Sequence, residues 1–322
     1  MSSEEMLVVK DLKKSFRHGK GKKSKPVPAV DDVSLTIYKG ETLGLMGESG
    51  CGKTTFGRTV LRLIEPDSGE LYFKGENITK ANMRPLRRKM QIVFQDPMGS
   101  LDPRMRIGDI ILEGINAGGT YSRQEQHDRL MELINKVGLS AEIADRYPHE
   151  LSGGQQQRVG IARALAVQPE FLVCDEAVSA LDISYQAQII NLLREIQEKD
   201  KLTYLFISHD FSVVRYISDR ICIMYLGKVM ELGKTSDIVS HPLHPYTHLL
   251  MSAILYPDPS QRQIEDDPGE EEVADLSIPE HGCRFQARCP YADDVCRKDM
   301  PEFKDYGEGH FCACHKCRDI FG

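Results

Sequence analysis

Long hydrophobic runs are missing from this sequence of 322 residues, in which the longest unbroken apolar run is ICIMYL at 221–226. A membrane-spanning helix needs about 20 such residues. The first apolar stretch, at 6–9, is too short and wrongly flanked for a signal peptide. We therefore expect a protein that stays in the cytosol and reaches a membrane only through a partner.

An excess of positive charge is also missing. The sequence has 41 Lys+Arg against 48 Asp+Glu, a net charge of −7, which argues against nucleic acid as the main ligand. Its composition of 41% hydrophobic and 28% charged residues excludes collagen-like, coiled-coil and wholly disordered proteins. The length favours two domains, or one domain with a sizeable appendage.

Cysteine is scarce over the first 282 residues, which contain only Cys51, Cys174 and Cys222. The other six crowd into the last 40 residues. In a reducing cytosol such a cluster is more typical of a metal site than of a disulfide framework. The six are Cys283, Cys289, Cys296, Cys312, Cys314 and Cys317.

Short apolar runs rich in β-branched residues alternate with helical patterns, which predicts an α/β domain with a mostly parallel sheet. A segment at about 96–165 is mainly helical and separates strands, so we expect a helical subdomain inserted into the core. We predict strands at 42–46, 91–94, 171–174, 204–208 and 220–225, and helices at 53–64, 124–137, 155–167 and 183–198.

Two charged segments fall outside these elements. Residues 10–25 contain eight Lys/Arg and one acid, which favours a solvated loop between two N-terminal strands over a phosphate-steering or lipid-binding segment. Residues 263–279 contain seven acids, two prolines and no Lys or Arg, which is typical of a linker or exposed loop.

The octapeptide GESGCGKT satisfies the phosphate-binding pattern G-x-x-x-x-G-K-[ST]. Gly47, Gly50 and Gly52 permit positive-φ turns that point backbone N–H groups inward and form an anion nest. A predicted strand precedes the motif and a predicted helix follows it, as this mechanism requires. We expect Lys53 to reach the β- and γ-phosphates of a nucleotide and the Thr54 hydroxyl to ligate Mg²⁺.

Acidic and polar residues follow three other predicted strands. Asp175 and Glu176 end the run FLVCDE, where ligands bind in open α/β sheets. Asp175 is placed to hold Mg²⁺, and Glu176 to orient or deprotonate the attacking water. His209 and Gln95 end two further strands and converge on the same edge. His209 can donate a hydrogen bond to the transferring group, and Gln95 offers an amide oxygen to Mg²⁺ or water.

The pentapeptide LSGGQ lies 20 residues before Asp175. Ser152 and Gln155 form an S-x-x-Q capping box, so the simplest interpretation is a well-capped helix. The glycines Gly153 and Gly154 suggest more, because they remove side chains from a helix N-terminus and let an anion approach.

Together these motifs resemble the ATP-binding subunit of an ATP-binding-cassette (ABC) transporter, in order and spacing over about residues 5–240. GESGCGKT resembles the Walker A loop, Gln95 the Q-loop, LSGGQ the signature, FLVCDE the Walker B strand, SALD (ending at Asp182) the D-loop, and His209 the switch histidine. The resemblance implies a P-loop NTPase α/β core with an N-terminal antiparallel β subdomain, an inserted helical subdomain and a small cysteine-rich C-terminal extension. Residues 1–240 would form the nucleotide-binding domain and 241–322 the extension.

The resemblance implies roles for individual residues. Glu176 and His209 would be catalytic, and Thr54, Gln95 and Asp175 would hold Mg²⁺. Phe16 sits where the family places an aromatic that stacks on adenine. The nucleotide-binding residues would be Phe16, Gly47, Glu48, Ser49, Gly50, Cys51, Gly52, Lys53, Thr54, Thr55, Gln95, Ser152, Gly153, Gly154, Gln155 and Asp182.

Several stretches, among them IVFQDPMGSLDPRM, HPLHPYTHLLMSAI and the cysteine tail, look like the oligopeptide/dipeptide importer branch, and GRTVLRLIEP looks like the second (F-type) of its paired ATPases. One departure is Ala177-Val178, where the family usually has Pro-Thr. We expect this pair to change local packing at the dimer seam without loss of hydrolysis. Cys174 within Walker B is also uncommon, but it is apolar enough for a buried strand.

The cysteine tail has the spacing C-x5-C-x6-C, followed after 17 residues by Cys314. Four thiolates suit either structural zinc or an iron–sulfur cluster, and the C-x-x-C knuckles of zinc ribbons are lacking. The resemblance implies a structural [4Fe–4S] cluster on Cys283, Cys289, Cys296 and Cys314, with zinc as the alternative. Cys312 and Cys317 leave the identity of the late ligand open.

The expected function is an ATPase that energises import of di- or oligopeptides, with ATP sandwiched between two cassettes. The implied partners are two transmembrane permeases, a second cassette ATPase (a sibling in a heterodimer) and, indirectly, an extracytoplasmic binding protein, with no nucleic acid. The expected location is the cytoplasmic face of the membrane, as a peripheral subunit. One alternative is a nickel or oligosaccharide importer. Another is a soluble non-transport ABC ATPase, although soluble ATPases of this kind usually carry two cassettes or a long coiled coil.

Overall fold

The computed structural model describes residues 4–17, 25–252, 278–317 and 320. Residues 18–24 of the basic segment and nearly all of the acidic linker expected from the sequence lie outside these residues. The expectation of a loop is wrong for residues 10–17, which belong to a strand at Glu5–Arg17. The described residues form two β-sheets and the helices around them.

The first sheet is antiparallel, with strand order β2-β1-β4-β5. Its long strands bury one face: Leu7, Val9 and Ile37 are at most 1% exposed. These side chains share one apolar cluster with Phe56 and Val173, so the sheet packs against the helix after β3 and the underside of the central sheet. The strands are β1 (Glu5–Arg17), β2 (Pro26–Tyr38), β4 (Ser68–Phe73) and β5 (Glu76–Asn77).

The second sheet has eight strands in the order β11-β12-β10-β9-β3-β8-β7-β6. Strands β6, β7, β8, β3 and β9 pair in parallel, and every residue of β3, β7 and β8 is buried, as continuous apolar runs predict. The strands are β3 (Thr42–Met46), β6 (Met90–Val93), β7 (Phe171–Asp175), β8 (Thr203–Ser208), β9 (Arg220–Tyr225), β10 (Lys228–Lys234), β11 (Lys304–Asp305) and β12 (Phe311–Cys312).

Helices cover both faces and one end of this sheet. No helix in the described part of the chain is long and apolar enough to cross a membrane. The helices are α1 (Lys53–Val60), α2 (Met83–Lys89), α3 (Pro97–Ser100), α4 (Ile107–Gly118), α5 (Arg123–Lys136), α6 (Gly153–Leu165), α7 (Ile183–Asp200), α8 (Phe211–Ile217), α9 (Thr235–Ser240), α10 (Pro245–Ser252) and α11 (Asp294–Lys298), with 3₁₀ turns at Ala141–Asp145 and Pro148–Glu150.

Helices α3 to α6 pack on one another. They follow β6 and precede β7 in the sequence, where an inserted helical segment was expected. Ile111, Ile134 and Val159 are fully buried at their contacts. The Arg163 guanidinium of α6 donates to the Ser100 carbonyl that ends α3, which joins the first helix of the segment to the last. Strands and helices otherwise lie where the sequence predicts them, within a few residues at each end.

One predicted boundary is wrong by four residues. The helix expected at 53–64 ends at Val60, because Arg62 adopts a left-handed φ of 51° that a continuing helix does not allow. Its guanidinium then donates to the carbonyls of Ile78 and Ala81, which holds the turn in place.

The cysteine-rich segment is not a separate body, because its strand β12 pairs with β10 at the edge of the central sheet. Beneath this edge the fully buried Glu231 carboxylate accepts hydrogen bonds from the backbone N–H groups of Leu243 and His244 at 2.7 and 3.0 Å. The same carboxylate lies 2.7 Å from the His310 Nε2 of the extension. A buried charge with several partners fastens the extension to the core.

Candidate functional site

Several of the predicted site residues lie at one edge of the central sheet. In the strand order β3-β8-β7-β6, each of these neighbouring parallel strands ends in a group singled out from the sequence. The glycine-rich loop follows β3, His209 follows β8, Asp175 and Glu176 end β7, and Gln95 lies just after β6. The parallel pairing therefore brings together residues that lie up to 162 positions apart.

The glycine-rich loop between β3 and α1 needs its glycines. Gly47, Gly50 and Gly52 have φ values of 151°, 80° and 109°. A Cβ on Gly47 would lie 2.1 Å from the Met224 carbonyl oxygen, and one on Gly52 would lie 1.9 Å from that of Ala29. Both positive φ and close backbone approach exclude a side chain at these two positions.

Lys53 is buried, and its amino group turns back into the loop. Nζ donates to the carbonyl oxygens of Gly47 and Glu48 at 2.7 and 2.9 Å. An ammonium group held in this way places a positive charge against the backbone of the loop. Ser49 and Gly50 at the tip of the loop are exposed, while Cys51 is buried and Thr55 is half-buried in the first turn of α1.

Thr54 and Asp175 meet directly, because the Thr54 hydroxyl donates to Asp175 Oδ1 at 2.8 Å. Asp175 is fully buried, and Arg58 Nη2 lies 3.5 Å from its Oδ2. Burial raises the pKa of Asp175, while the Thr54 hydrogen bond and the Arg58 charge oppose that shift. The contact of Arg58 with this carboxylate is a feature that the sequence analysis missed.

Glu176 lies between the two other predicted polar residues. Gln95 Nε2 donates to Glu176 Oε2 at 2.9 Å, and His209 Nδ1 lies 3.5 Å from Oε1. The backbone of Glu176 has a φ of 47°, an uncommon value for a residue with a side chain. Such strain is found at functional sites whose surroundings hold the residue in place.

A pocket opens beside the glycine-rich loop. Phe16, at the end of β1, is 37% exposed and lines it. Lys14 Nζ lies 5.7 Å from the centre of the Phe16 ring. The pocket is large enough for an aromatic base, and its other lining residues are Val27, Pro28, Ala29, Glu48, Ser49, Gly50, Cys51, Tyr225, Leu226, Gly227 and Ile278.

The signature LSGGQ begins α6 as predicted. The Ser152 hydroxyl accepts from the Gln155 N–H at 3.3 Å, and Gln155 Oε1 accepts from the Ser152 N–H at 3.0 Å, which confirms the capping box. Ser152 and Gly153 are exposed, whereas Gly154 is buried because the Tyr185 ring packs on it.

The D-loop residue Asp182 is exposed at the N-cap of α7. The next residue, Ile183, is 85% exposed, which is unusual for a large aliphatic side chain. Ala177 and Val178, which depart from the family pattern, are 2% and 3% exposed, and Cys174 is fully buried in β7.

Four cysteines of the extension line one cavity: Cys283, Cys289, Cys296 and Cys314. Phe285, Pro301 and the segment at His244 close it. In the described part of the chain, no group of three or more His, Cys, Asp or Glu side chains could hold a metal ion. Cys312 and Cys317 are buried and are not among the residues that line this cavity.

The family profile "ABC transporter" matches residues 30–179, and the profile "Oligopeptide/dipeptide transporter, C-terminal region" matches residues 230–296. The oligopeptide transport ATP-binding protein AppF of Bacillus subtilis is 47% identical over 98% of each chain. The chain belongs to the family of oligopeptide ABC transporter ATP-binding proteins.

A second relative in this family, the oligopeptide transport ATP-binding protein OppF of Bacillus subtilis, is 47% identical over 97% of each chain. Among solved structures, the ATP-binding cassette MJ0796, in a dimeric post-hydrolysis state bound to ADP and Pi, is 32% identical. It superposes with a TM-score of 0.65 over 71% of this chain and 99% of its own. The fold is thus the ABC cassette, and the chain is an ABC-type ATPase.

Proposed function

We propose that this chain is the ATP-hydrolysing subunit of an ABC importer for di- and oligopeptides. Residues 1–240 form the nucleotide-binding domain, with the helical subdomain at about 96–165, and 241–322 form the extension. The observation that carries peptide import is that the likeness to AppF and OppF runs over nearly the whole chain, extension included. A likeness limited to residues 30–179 would fit an ABC transporter of any cargo.

ATP binds with its phosphates in the loop from Gly47 to Thr55 and its base in the pocket beside Phe16. Lys53 supports this assignment, because its buried amino group points into the loop where the β- and γ-phosphates bind. Exposed backbone at Ser49 and Gly50 leaves the mouth of the nest open to an anion.

Thr54, Asp175 and Gln95 fit Mg²⁺, since hydroxyl, carboxylate and amide oxygens are the hard donors that this ion prefers. The contact between the Thr54 hydroxyl and the Asp175 carboxylate supports a shared role. The ion, when bound, offsets the charge of the β- and γ-phosphate oxygens.

Glu176 accepts the proton of the attacking water, and His209 donates a hydrogen bond to the γ-phosphate. The proximity of both Gln95 and His209 to the Glu176 carboxylate supports these roles. Because Gln95 and His209 both contact the Glu176 carboxylate, a small movement of either side chain alters the position of that carboxylate.

A second cassette completes the site. Ser152, Gly153, Gly154 and Gln155 lie on the helical subdomain, away from their own phosphate loop, and they cap the ATP of the partner, with Asp182 at the seam. Exposure of Ser152, Gly153 and Ile183 supports this arrangement. The partner is a sibling cassette in a heterodimer.

Two transmembrane permeases anchor the pair at the cytoplasmic face of the membrane, and an extracytoplasmic binding protein delivers peptide; no nucleic acid takes part. The surface after Gln95 meets the permeases. Met98 in α3 is 56% exposed there and gives this surface an apolar side chain for contact.

The extension holds a [4Fe–4S] cluster on Cys283, Cys289, Cys296 and Cys314. Four soft thiolate donors around one cavity fit such a cluster. Zinc is the alternative for the same four thiolates. A cluster held by these residues would act as a structural cross-link of the extension.

Co-purification from the source membranes in mild detergent tests the importer. Two polytopic permeases and a second cassette are expected to accompany the tagged chain. The recovered complex, reconstituted with its binding protein, is expected to raise its ATPase rate with short peptides but not with nickel or oligosaccharides. Stimulation by nickel or sugar alone would contradict the peptide cargo, and recovery with ribosomes alone would contradict the importer.

A further inference from the structure

The extension touches the phosphate loop through one ion pair. Arg288 lies between Cys283 and Cys289 in the sequence. Its Nη1 lies 2.7 Å from Oε2 of Glu48 in the glycine-rich loop. The side chains of Arg288 and Glu48 are 29% and 33% exposed, so the pair is shielded from much of the solvent.

Glu48 is also held at its backbone. Its N–H donates to the Tyr246 hydroxyl at 2.9 Å, and Tyr246 belongs to α10, outside the predicted cassette. Both ends of Glu48 are therefore held by residues that follow position 240 in the sequence.

Packing leaves Arg288 little freedom. Its guanidinium lies 5.9 Å from the ring centre of Tyr225 and 5.8 Å from that of Phe285. Phe285 is 2% exposed, and its ring packs against those of Tyr225 and Tyr246 at 5.3 Å. The Arg288 N–H donates to the Phe285 carbonyl at 3.1 Å, in the chain turns that also carry the first two cysteines of the cavity.

The position of Glu48 matters to the phosphates for two reasons. Its carbonyl oxygen accepts from Lys53 Nζ at 2.9 Å and from the Cys51 N–H at 3.2 Å, so it shapes the nest from within. Its carboxylate also places a negative charge beside the site of a polyphosphate, and such a charge repels the ligand unless a cation offsets it.

We infer that Arg288 is a positioning residue of the nucleotide site, which holds Glu48 and offsets its charge so that the cysteine-rich extension sets the affinity of the phosphate loop for ATP. The inference rests on the phosphate-binding role proposed above for residues 47–54. A second contact supports it, because Ile278 of the same segment lines the pocket beside Phe16.

Titration of the full-length chain with a fluorescent ATP analogue tests this role. Arg288→Ala is expected to raise the Kd for ATP roughly three- to tenfold, which is the range of a partly shielded ion pair. Arg288→Lys is expected to recover about half of that loss in free-energy terms, because it keeps the charge without the planar fork. The KM for ATP should rise while kcat changes by less than about twofold.

Arg284→Ala is the matched control. Arg284 lies in the same turn of the extension and pairs with Asp31 of β2 instead of with the loop. Its loss removes an ion pair of the same kind, so thermal unfolding should shift in both variants, but the Kd for ATP should change only in Arg288→Ala. Equal increases in Kd for the two variants would show a general loosening of the extension and overturn the inference.

Glu48→Gln provides a test that does not depend on the fold of the Arg288 variant. In this background Arg288→Ala is expected to change the Kd by less than about twofold, because residues that act through one contact are not additive. A full additional loss would overturn the inference. Wild-type protein that binds no ATP, or Lys53→Ala protein that binds it normally, would instead refute the proposed phosphate site, so the two failures are distinguishable.

Discussion

Glu176 combines a left-handed backbone with two side-chain neighbours of different chemistry. Gln95 donates to one carboxylate oxygen and His209 faces the other. The Glu176 N–H also donates to the Ile207 carbonyl of β8 at 3.0 Å, so strand pairing holds the backbone at the edge of the sheet. These contacts restrain the Glu176 carboxylate, as the proposed role of general base requires.

Replacing Glu176 by Gln should separate ATP binding from hydrolysis. The amide keeps the shape of the side chain but cannot accept the proton, so kcat should fall on the order of 10²- to 10⁴-fold. ATP should still bind, and ATP-bound dimers should accumulate. Single-turnover hydrolysis and size-exclusion chromatography with ATP measure these two effects.

Glu170→Gln is the matched control, because Glu170 lies one residue before β7 and pairs with Lys74 at the surface. This variant should hydrolyse ATP at the wild-type rate. Ordinary turnover by the Glu176→Gln protein would remove Glu176 from the role of base.

Helices α5 and α6 both begin with a capping box, so the effect of losing a cap can be measured apart from any effect on ATPase activity. Ser122 and Glu125 form a capping box at α5, as Ser152 and Gln155 do at α6. The first pair lies outside the motifs singled out from the sequence, whereas the second belongs to the signature LSGGQ. Local hydrogen bonding alone therefore does not distinguish the two serines.

Ser122→Ala and Ser152→Ala should each lower the free energy of unfolding by about 0.5–2 kcal/mol, since each removes an N-cap hydrogen bond. Only Ser152→Ala should also lower ATPase activity, on the order of tenfold or more, because it removes a donor to the partner's ATP. Chemical denaturation and steady-state hydrolysis provide the two readouts. Equal ATPase activity in the two variants would show that Ser152 acts only as a helix cap.

At the scale of the whole molecule, the extension contacts the cassette at several places. Strand β12 continues the central sheet through β10, and Arg288 reaches the phosphate loop from the other side. The buried carboxylate of Glu231 in β10 also contacts the backbone just before α10 and the side chain of His310. Removal of the extension would therefore expose a sheet edge and a buried charge in the cassette.

The cluster assignment predicts different outcomes for neighbouring cysteines. Protein purified without oxygen should contain about four iron and four labile sulfide atoms per chain. Cys314→Ser should lose most of this iron because Cys314 lines the cavity, whereas Cys317→Ser should keep it. Elemental analysis and thermal unfolding measure the loss. One zinc per chain and no iron in the wild type would contradict the cluster.

The site motifs could be recognised in the sequence because each of them is short and continuous. GESGCGKT and LSGGQ carry their turn and cap within a few residues, so near neighbours in the sequence already determine their local shapes. The buried strands β3, β7 and β8 follow the apolar runs, although their hydrogen bonds go to strands that lie far away in the sequence.

Contacts between distant parts of the chain were decided only by the tertiary structure. No spacing rule connects Arg288 with Glu48, Arg58 with Asp175, or β12 with β10, since each contact depends on how whole elements pack. A surface arginine and an arginine that pairs with a phosphate loop look alike in sequence. The sequence thus predicted which groups bind and hydrolyse ATP, whereas only the fold joins Arg288 of the extension to Glu48 of the glycine-rich loop, because packing alone brings a charge at 288 to a loop at 48.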